Sequence, residues 1–222
     1  HTTDGIYWTA ELELEVPQEG MTINYSYQIE QNGIVIRKEW DSFSRSIFLS
    51  GSSRKIYRIN DCWKNIPEQL YLYSSAFTEA LLAHPEKENI PQSYKKGLVI
   101  KAYAPRINKD YCLAICGNQK SLGHWDPEKA VLMSDTNFPE WQVELDASKL
   151  KYPLEYKFIL YNKQEKKADC WEKNPNRYLA DPELKTNETL VISDRYVYFD
   201  IPAWKGAGIA IPVFSLKSEK SF

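Results

Sequence analysis

Apolar and polar residues alternate over short runs through most of this 222-residue chain, with turn-forming residues between them. Residues 9–16 (Thr-Ala-Glu-Leu-Glu-Leu-Glu-Val) and 141–146 (Trp-Gln-Val-Glu-Leu-Asp) alternate most cleanly. A period of two puts successive side chains on opposite faces, so each run reads as a strand with one buried face. Residues 98–103, 111–116, 154–161 and 195–201 read as further strands. Many short strands with little helical period predict an all-β chain, a sandwich or a barrel. One stretch departs from this. Residues 66–82 are compatible with a short helix, with Ser74 or Ser75 as N-cap before Phe77. Residues 84–91 are polar and flanked by proline, which reads as a linker.

The strand pattern repeats. Trp8, Tyr25-Ser26-Tyr27 and Trp40-Asp41 line up with Trp141, Tyr156-Lys157-Phe158 and Trp171-Glu172. Tyr25 to Trp40 and Tyr156 to Trp171 are both 15 positions, whereas Trp8 to Tyr25 is 17 and Trp141 to Tyr156 is 15. A two-residue change in length fits a hairpin loop, around 17–20 in the first copy and around 147–150 in the second. The second copy has strands ahead of Trp141 that the first lacks ahead of Trp8. The expected organisation is therefore a partial first copy at 1–62, a linker with a short helix at 63–95, and a complete sandwich at 96–202. Half a sandwich leaves an open edge and an uncovered apolar face.

Charge and composition narrow the function. A formal net charge of -2 gives no basic field for a phosphate backbone, which argues against nucleic acid as partner. No run of eighteen apolar residues is present to cross a membrane. The four cysteines, Cys62, Cys112, Cys116 and Cys170, have neither metal-ligand spacing nor a histidine cluster beside them. They read as free thiols in a reducing, cytoplasmic compartment, with no metal and no cofactor expected. Only His1, His84 and His124 are available, no nucleophile-elbow pattern occurs, and Gly206-Ala207-Gly208 is too short for a phosphate loop. Seven tryptophans and fifteen tyrosines remain to be explained.

Between residues 102 and 201 the order of features resembles the starch-binding domain, carbohydrate-binding module family 20. The matching pieces are Ile115-Cys116-Gly117-Asn118, Leu122-Gly123-His124-Trp125, Trp141, Leu154-Glu155-Tyr156-Lys157-Phe158, and Trp171-Glu172 with Asn176-Arg177. The resemblance implies an immunoglobulin-like antiparallel β-sandwich that binds α-1,4-glucan. It carries a stacking platform over to Trp125 and Trp171, with Lys157, Glu172 and Asn176 as hydrogen-bonding partners. At the family's second site only Phe138 offers a ring, and Asn108-Lys109-Asp110 stands where a tyrosine is usual. In the first copy Ser26 replaces Lys157, while Trp40 and Asp41 remain. Residues 204–218 look like the entrance strand of a 4-α-glucanotransferase barrel. Residues 203–222 are thus expected to open a catalytic domain that the binding domains serve and contact, with its catalytic carboxylates further downstream.

A flat indole covers the C–H face of a glucose ring while neighbouring polar groups take the hydroxyls. Two stacked rings burying about 100 Å² each contribute roughly 5 kcal/mol, against association costs on the order of 4–15 kcal/mol. Weak sites that gain from multivalency are expected. Trp141 opens an alternating strand and reads as core. Arg177 reads as a structural ion-pair or carbonyl donor rather than a ligand contact. Two competing readings use the same sandwich: a non-enzymatic glycogen-targeting protein, and a protein-contact module whose aromatics form an interface.

Overall fold

A computed structural model describes residues 2–39, 45–51, 55–63, 90, 92–105, 107, 109–194, 197 and 199. The expected helix at 66–82, most of the linker and the barrel-entrance motif lie outside the described residues.

The strands in chain order are β1 (Met21–Tyr25), β2 (Gln28–Gln31), β3 (Ile34–Lys38), β4 (Arg45–Leu49) and β5 (Ile56–Asn60) in the first segment. The second segment holds β6 (Lys96–Tyr103), β7 (Tyr111–Gly117), β8 (Val131–Leu132), β9 (Glu140–Asp146), β10 (Leu154–Asn162), β11 (Lys167–Trp171), β12 (Arg177–Leu179) and β13 (Glu188–Asp194). One sheet runs β11-β10-β7-β8 with β12 also on β10, and another runs β5-β13-β6-β9. The two close face to face on a core that includes Leu98, Ile100, Leu113, Ile115, Trp141, Phe158 and Leu190. The chain is therefore the β-sandwich its alternation predicts. Trp141, at 1% exposure, is core as expected, and its indole N–H donates to the Ala104 carbonyl.

Among the described residues the last strand is β13, a strand not read from the sequence. Glu188–Asp194 pairs parallel with β6, while most of 195–201 lies outside the described residues and Phe199, buried in the core, bridges to Glu172. Its central Leu190-Val191 is buried on both faces, so it reads as a continuous apolar run rather than an alternating one. This pairing makes the otherwise antiparallel sandwich mixed in one sheet.

The first segment attaches to the second. β5 lies parallel to β13 in register from Ile56 opposite Glu188 to Asn60 opposite Ile192, extending the second segment's sheet by one strand. β1 and β4 pair with each other, and Ile47 and Leu49 pack on Val99 and Val191. Those two valines point away from the main core, so the outer face of one sandwich sheet becomes the floor of the first segment. Lys101 reinforces the contact by donating to the Ser46 carbonyl at 3.0 Å. The first segment is thus covered in part within the chain, by the pairing of β5 and the packing of β4, while β2 and β3 pair only with each other among the described strands.

Residues 9–16 do not form the expected strand. They are extended and exposed apart from the half-buried Val16, with Leu12 at 81% and Trp8 at 73% exposure. Alternation makes a run fit for a half-buried strand, but a ladder partner is also required. Among the described strands none is paired with it. The turns at the two compared loops do form, with Gly20 N donating to Pro17 O at 2.8 Å and Leu150 N to Ala147 O at 3.3 Å.

Candidate functional site

The outer face of the β11-β10-β7-β8 sheet carries the aromatic residues singled out in the sequence. Trp171 ends β11 opposite Ile159, and its ring rests on a small apolar patch of Ala114, Cys116 and Ile159. Trp125 arrives from the other side, at the end of the 3-10 turn Lys120–Trp125. Leu122, fully buried, plugs that turn into the core. Gly123 (φ 78°) follows in a left-handed conformation, where an added Cβ would lie 2.8 Å from the Lys129 carbonyl oxygen. His124 and Trp125 stay left-handed, which swings the indole outward. Asp126 then caps the next turn by accepting from Glu128 N at 3.1 Å. Its carboxyl is held below its ordinary range by Lys129 and that N–H.

The turn and the strand end bring the two indoles together, with ring centroids 6.2 Å apart and planes inclined at 44°. Both are half-buried. Lys157 lies on the same face of β10, its ammonium donating to the Glu172 main-chain carbonyl at 3.3 Å. Asn176 is exposed nearby and donates to Glu155 Oε2 at 3.3 Å. These four sequence-predicted residues share one surface.

Glu172 does not face that surface. It is 2% exposed, and Oε1 accepts from Phe158 N at 2.7 Å and Arg177 Nε at 3.2 Å. Oε2 accepts from Arg177 Nη2 at 2.9 Å and Asn174 Nδ2 at 3.1 Å. Its oxygens are committed inside the protein, contrary to the expectation that they meet a sugar. Alternation explains this: Trp171 points out of the sheet, so the next residue points in. Arg177 completes the clamp by stacking over the Phe158 ring at 4.8 Å, in line with a structural ion pair. Phe138 is half-buried and packs edge-on against Trp141 at 5.9 Å.

In the first segment Trp40 and Asp41 lie outside the described residues, but an equivalent clamp is present. Tyr27 N donates to Glu39 Oε2 at 3.1 Å, as Phe158 N does to Glu172. Arg45 pairs with Glu39 at 2.7 Å and lies over the Tyr27 ring at 5.4 Å. Tyr25 sits opposite Arg45 in the ladder as Tyr156 sits opposite Arg177. The ring pairs match as well, 5.8 Å and 82° for Tyr25–Tyr27 against 5.9 Å and 88° for Tyr156–Phe158. The carboxylate in Glu172's place is thus Glu39, before the aligned tryptophan rather than after it. Sequence reading missed it, although the six-residue spacing from Glu39 to Arg45 nearly copies the five from Glu172 to Arg177. Asp61 adds a second acidic group, bonded to Arg45 at 3.0 Å and to the Tyr25 and Tyr27 hydroxyls at 2.8 and 3.1 Å.

All four cysteines are free. Burial pushes the Cys112 thiol up to about 11 and raises that of Cys116. Among the described residues no cluster of His, Cys, Asp and Glu could hold a metal, and no helix is long and apolar enough to cross a membrane.

Residues 99–191 match the family model described as "Starch binding domain". That match falls on the sandwich that carries the two indoles, and a domain of that kind implies α-glucan as its ligand. Across 99% of its length the chain is 24% identical to the 4-alpha-glucanotransferase DPE2 of Oryza sativa subsp. japonica. It spans 24% of that relative's length. Similar solved structures include the family 20 module of a maltotetraose-forming amylase from Pseudomonas saccharophila STB07. That match has a TM-score of 0.36 and 19% identity, over 44% of this chain and 99% of that one. Another is a family 15 glucoamylase from Hypocrea jecorina, with a TM-score of 0.39 and 22% identity over 50% of this chain and 19% of that one.

Proposed function

We propose that this chain binds α-1,4-glucan by stacking sugar rings on Trp125 and Trp171, and so brings an attached 4-α-glucanotransferase to its polysaccharide. The observation that carries this reading is the pair of half-buried indoles inclined at 44°. Two tilted platforms follow the curved path of an α-1,4-linked chain, which a flat cellulose ribbon does not share. Lys157 and Asn176 border the rings and supply donors for hydroxyl groups. Glu172 acts behind them as a positioning residue. Its main-chain carbonyl holds the Lys157 ammonium, and its carboxylate ties β10 to Arg177.

The identity to a 4-alpha-glucanotransferase over 99% of the chain supports a transferase as the whole protein, with the transfer chemistry performed outside these residues. The partner of the glucan-bound domain is then the catalytic domain of the same chain. Four free thiols fit a cytoplasmic setting. Domain limits of 1–62 and 96–202 fit the duplicated clamps, one on each side of residues 63–95.

Sedimentation with granular starch tests the reading. The parent chain is expected in the pellet and released by soluble maltoheptaose, whereas the double variant Trp125→Ala/Trp171→Ala stays in the supernatant. Retention of the double variant, or binding that maltoheptaose does not compete, contradicts it.

A further inference from the structure

The outer face that carries the two indoles continues past Lys157 to a third ring. Tyr178 on β12 is 65% exposed, the most exposed large aromatic among the described residues of the second segment. Its ladder partner is Glu155 on β10, so the two side chains leave the sheet on the same side. The register of β10 against β7 is unbroken from Tyr156 to Asn162. Glu155, Lys157 and Ile159 therefore share that side, and Ile159 is the ladder partner of Trp171. The inward set confirms the alternation, because Leu154, Tyr156 and Phe158 all belong to the core. β11 and β12 lie in line along one edge of β10. Four residues of β10 separate the partners of Trp171 and Tyr178, about 13 Å at roughly 3.3 Å per residue. Between the rings stand Lys157 and the Asn176–Glu155 pair, giving both donors and an acceptor.

We infer that Tyr178 is an extension subsite that stacks a further glucose unit of a longer α-1,4-glucan, while Trp125 and Trp171 hold the nearer units. An exposed tyrosine alone is unremarkable on a protein surface. This one stands on the face of the platform, at a spacing longer than one sugar ring, with hydroxyl-binding groups between. It makes the site sensitive to chain length. A short oligosaccharide fills the indoles and ends before β12, whereas a longer one reaches the phenol ring. The inference rests on the platform proposed above.

Titration calorimetry of the full chain with maltotriose and maltoheptaose tests it on the parent, Tyr178→Ala, Tyr178→Phe and Trp171→Ala. Tyr178→Ala is expected to weaken maltoheptaose about fivefold and leave maltotriose and the melting temperature unchanged. Tyr178→Phe keeps the stacking face and binds both sugars like the parent, and Trp171→Ala loses both. Equal weakening of the two sugars by Tyr178→Ala, or no change in either, overturns the extension subsite while the platform stands. If Trp171→Ala binds like the parent, the platform reading falls and the extension falls with it.

Discussion

Residues 9–16 and β9 have nearly the same pattern, a tryptophan followed by an alternating run, and opposite fates. Trp141 is 1% exposed and Trp8 73%. β9 pairs with β6 along seven residues, from Gly97 opposite Asp146 to Tyr103 opposite Glu140. No described strand flanks residues 9–16. Pattern thus specifies which face a strand can bury, and the partner decides whether it is buried at all. The clamps show the complementary case. Glu39–Arg45–Tyr27 and Glu172–Arg177–Phe158 keep one geometry although the copies differ in almost every other residue. A backbone N–H, a carboxylate and a guanidinium over a ring satisfy one another locally, so the unit depends little on the strands around it.

The widest contrast is between the two tryptophans. Trp141→Ala is expected to cost about 3–5 kcal/mol in urea unfolding, and Trp8→Ala less than about 0.5 kcal/mol. Similar losses for both would mean that the 9–16 run is packed after all.

The two arginines come next. Arg45 and its partners Glu39 and Asp61 are at most 5% exposed in their side chains. Arg45→Ala leaves two buried carboxylates unpaired, at about 3–5 kcal/mol. Arg177 keeps 19% of its side chain in contact with solvent, so Arg177→Ala should cost less, about 2 kcal/mol. The reverse order would show that the first clamp is the weaker.

Alkali separates the copies more gently. Burial first, then the charge and hydrogen bond of Asp61, push the Tyr27 hydroxyl from 10.0 up to about 12, and Tyr25 shifts the same way. Both must stay protonated to donate to Asp61. The Tyr27 contribution is complete below pH 10, where unfolded tyrosines are still neutral, and is lost as pH rises through its folded value near 12. Melting temperature should fall between pH 10 and 12, and Tyr27→Phe should flatten that fall. The second clamp has Phe158, which carries no hydroxyl, in the place of Tyr27. The smallest effect is kinetic: with thiol reagents at neutral pH, exposed Cys62 should react well before Cys112 and Cys116.

Much of the second segment was readable in the chain. β6, β7, β9 and β10 appear where alternation or apolar runs place them, because each lies against a core that rewards the pattern. β13 was missed because its Leu190-Val191 core, covered on both faces, has no alternation to read. The aromatic surface was readable from motif order, since Trp125 and Trp171 come from separate elements that only the fold joins. The inward turn of Glu172 follows from its place next to Trp171, a consequence of strand geometry that motif matching alone passes over. Tyr178 escaped notice because its meaning depends on the Glu155 register and on nothing in its own neighbourhood. Glu39 escaped because alignment by tryptophan placed the carboxylate two residues too late.

The most direct measurement is a tryptophan-fluorescence titration with maltoheptaose and β-cyclodextrin, on the parent chain and on Trp171→Ala. A saturable change in the parent that disappears in the folded variant is the expected result. No response from the folded parent, or an undiminished one from the variant, would contradict glucan binding on the Trp125–Trp171 platform.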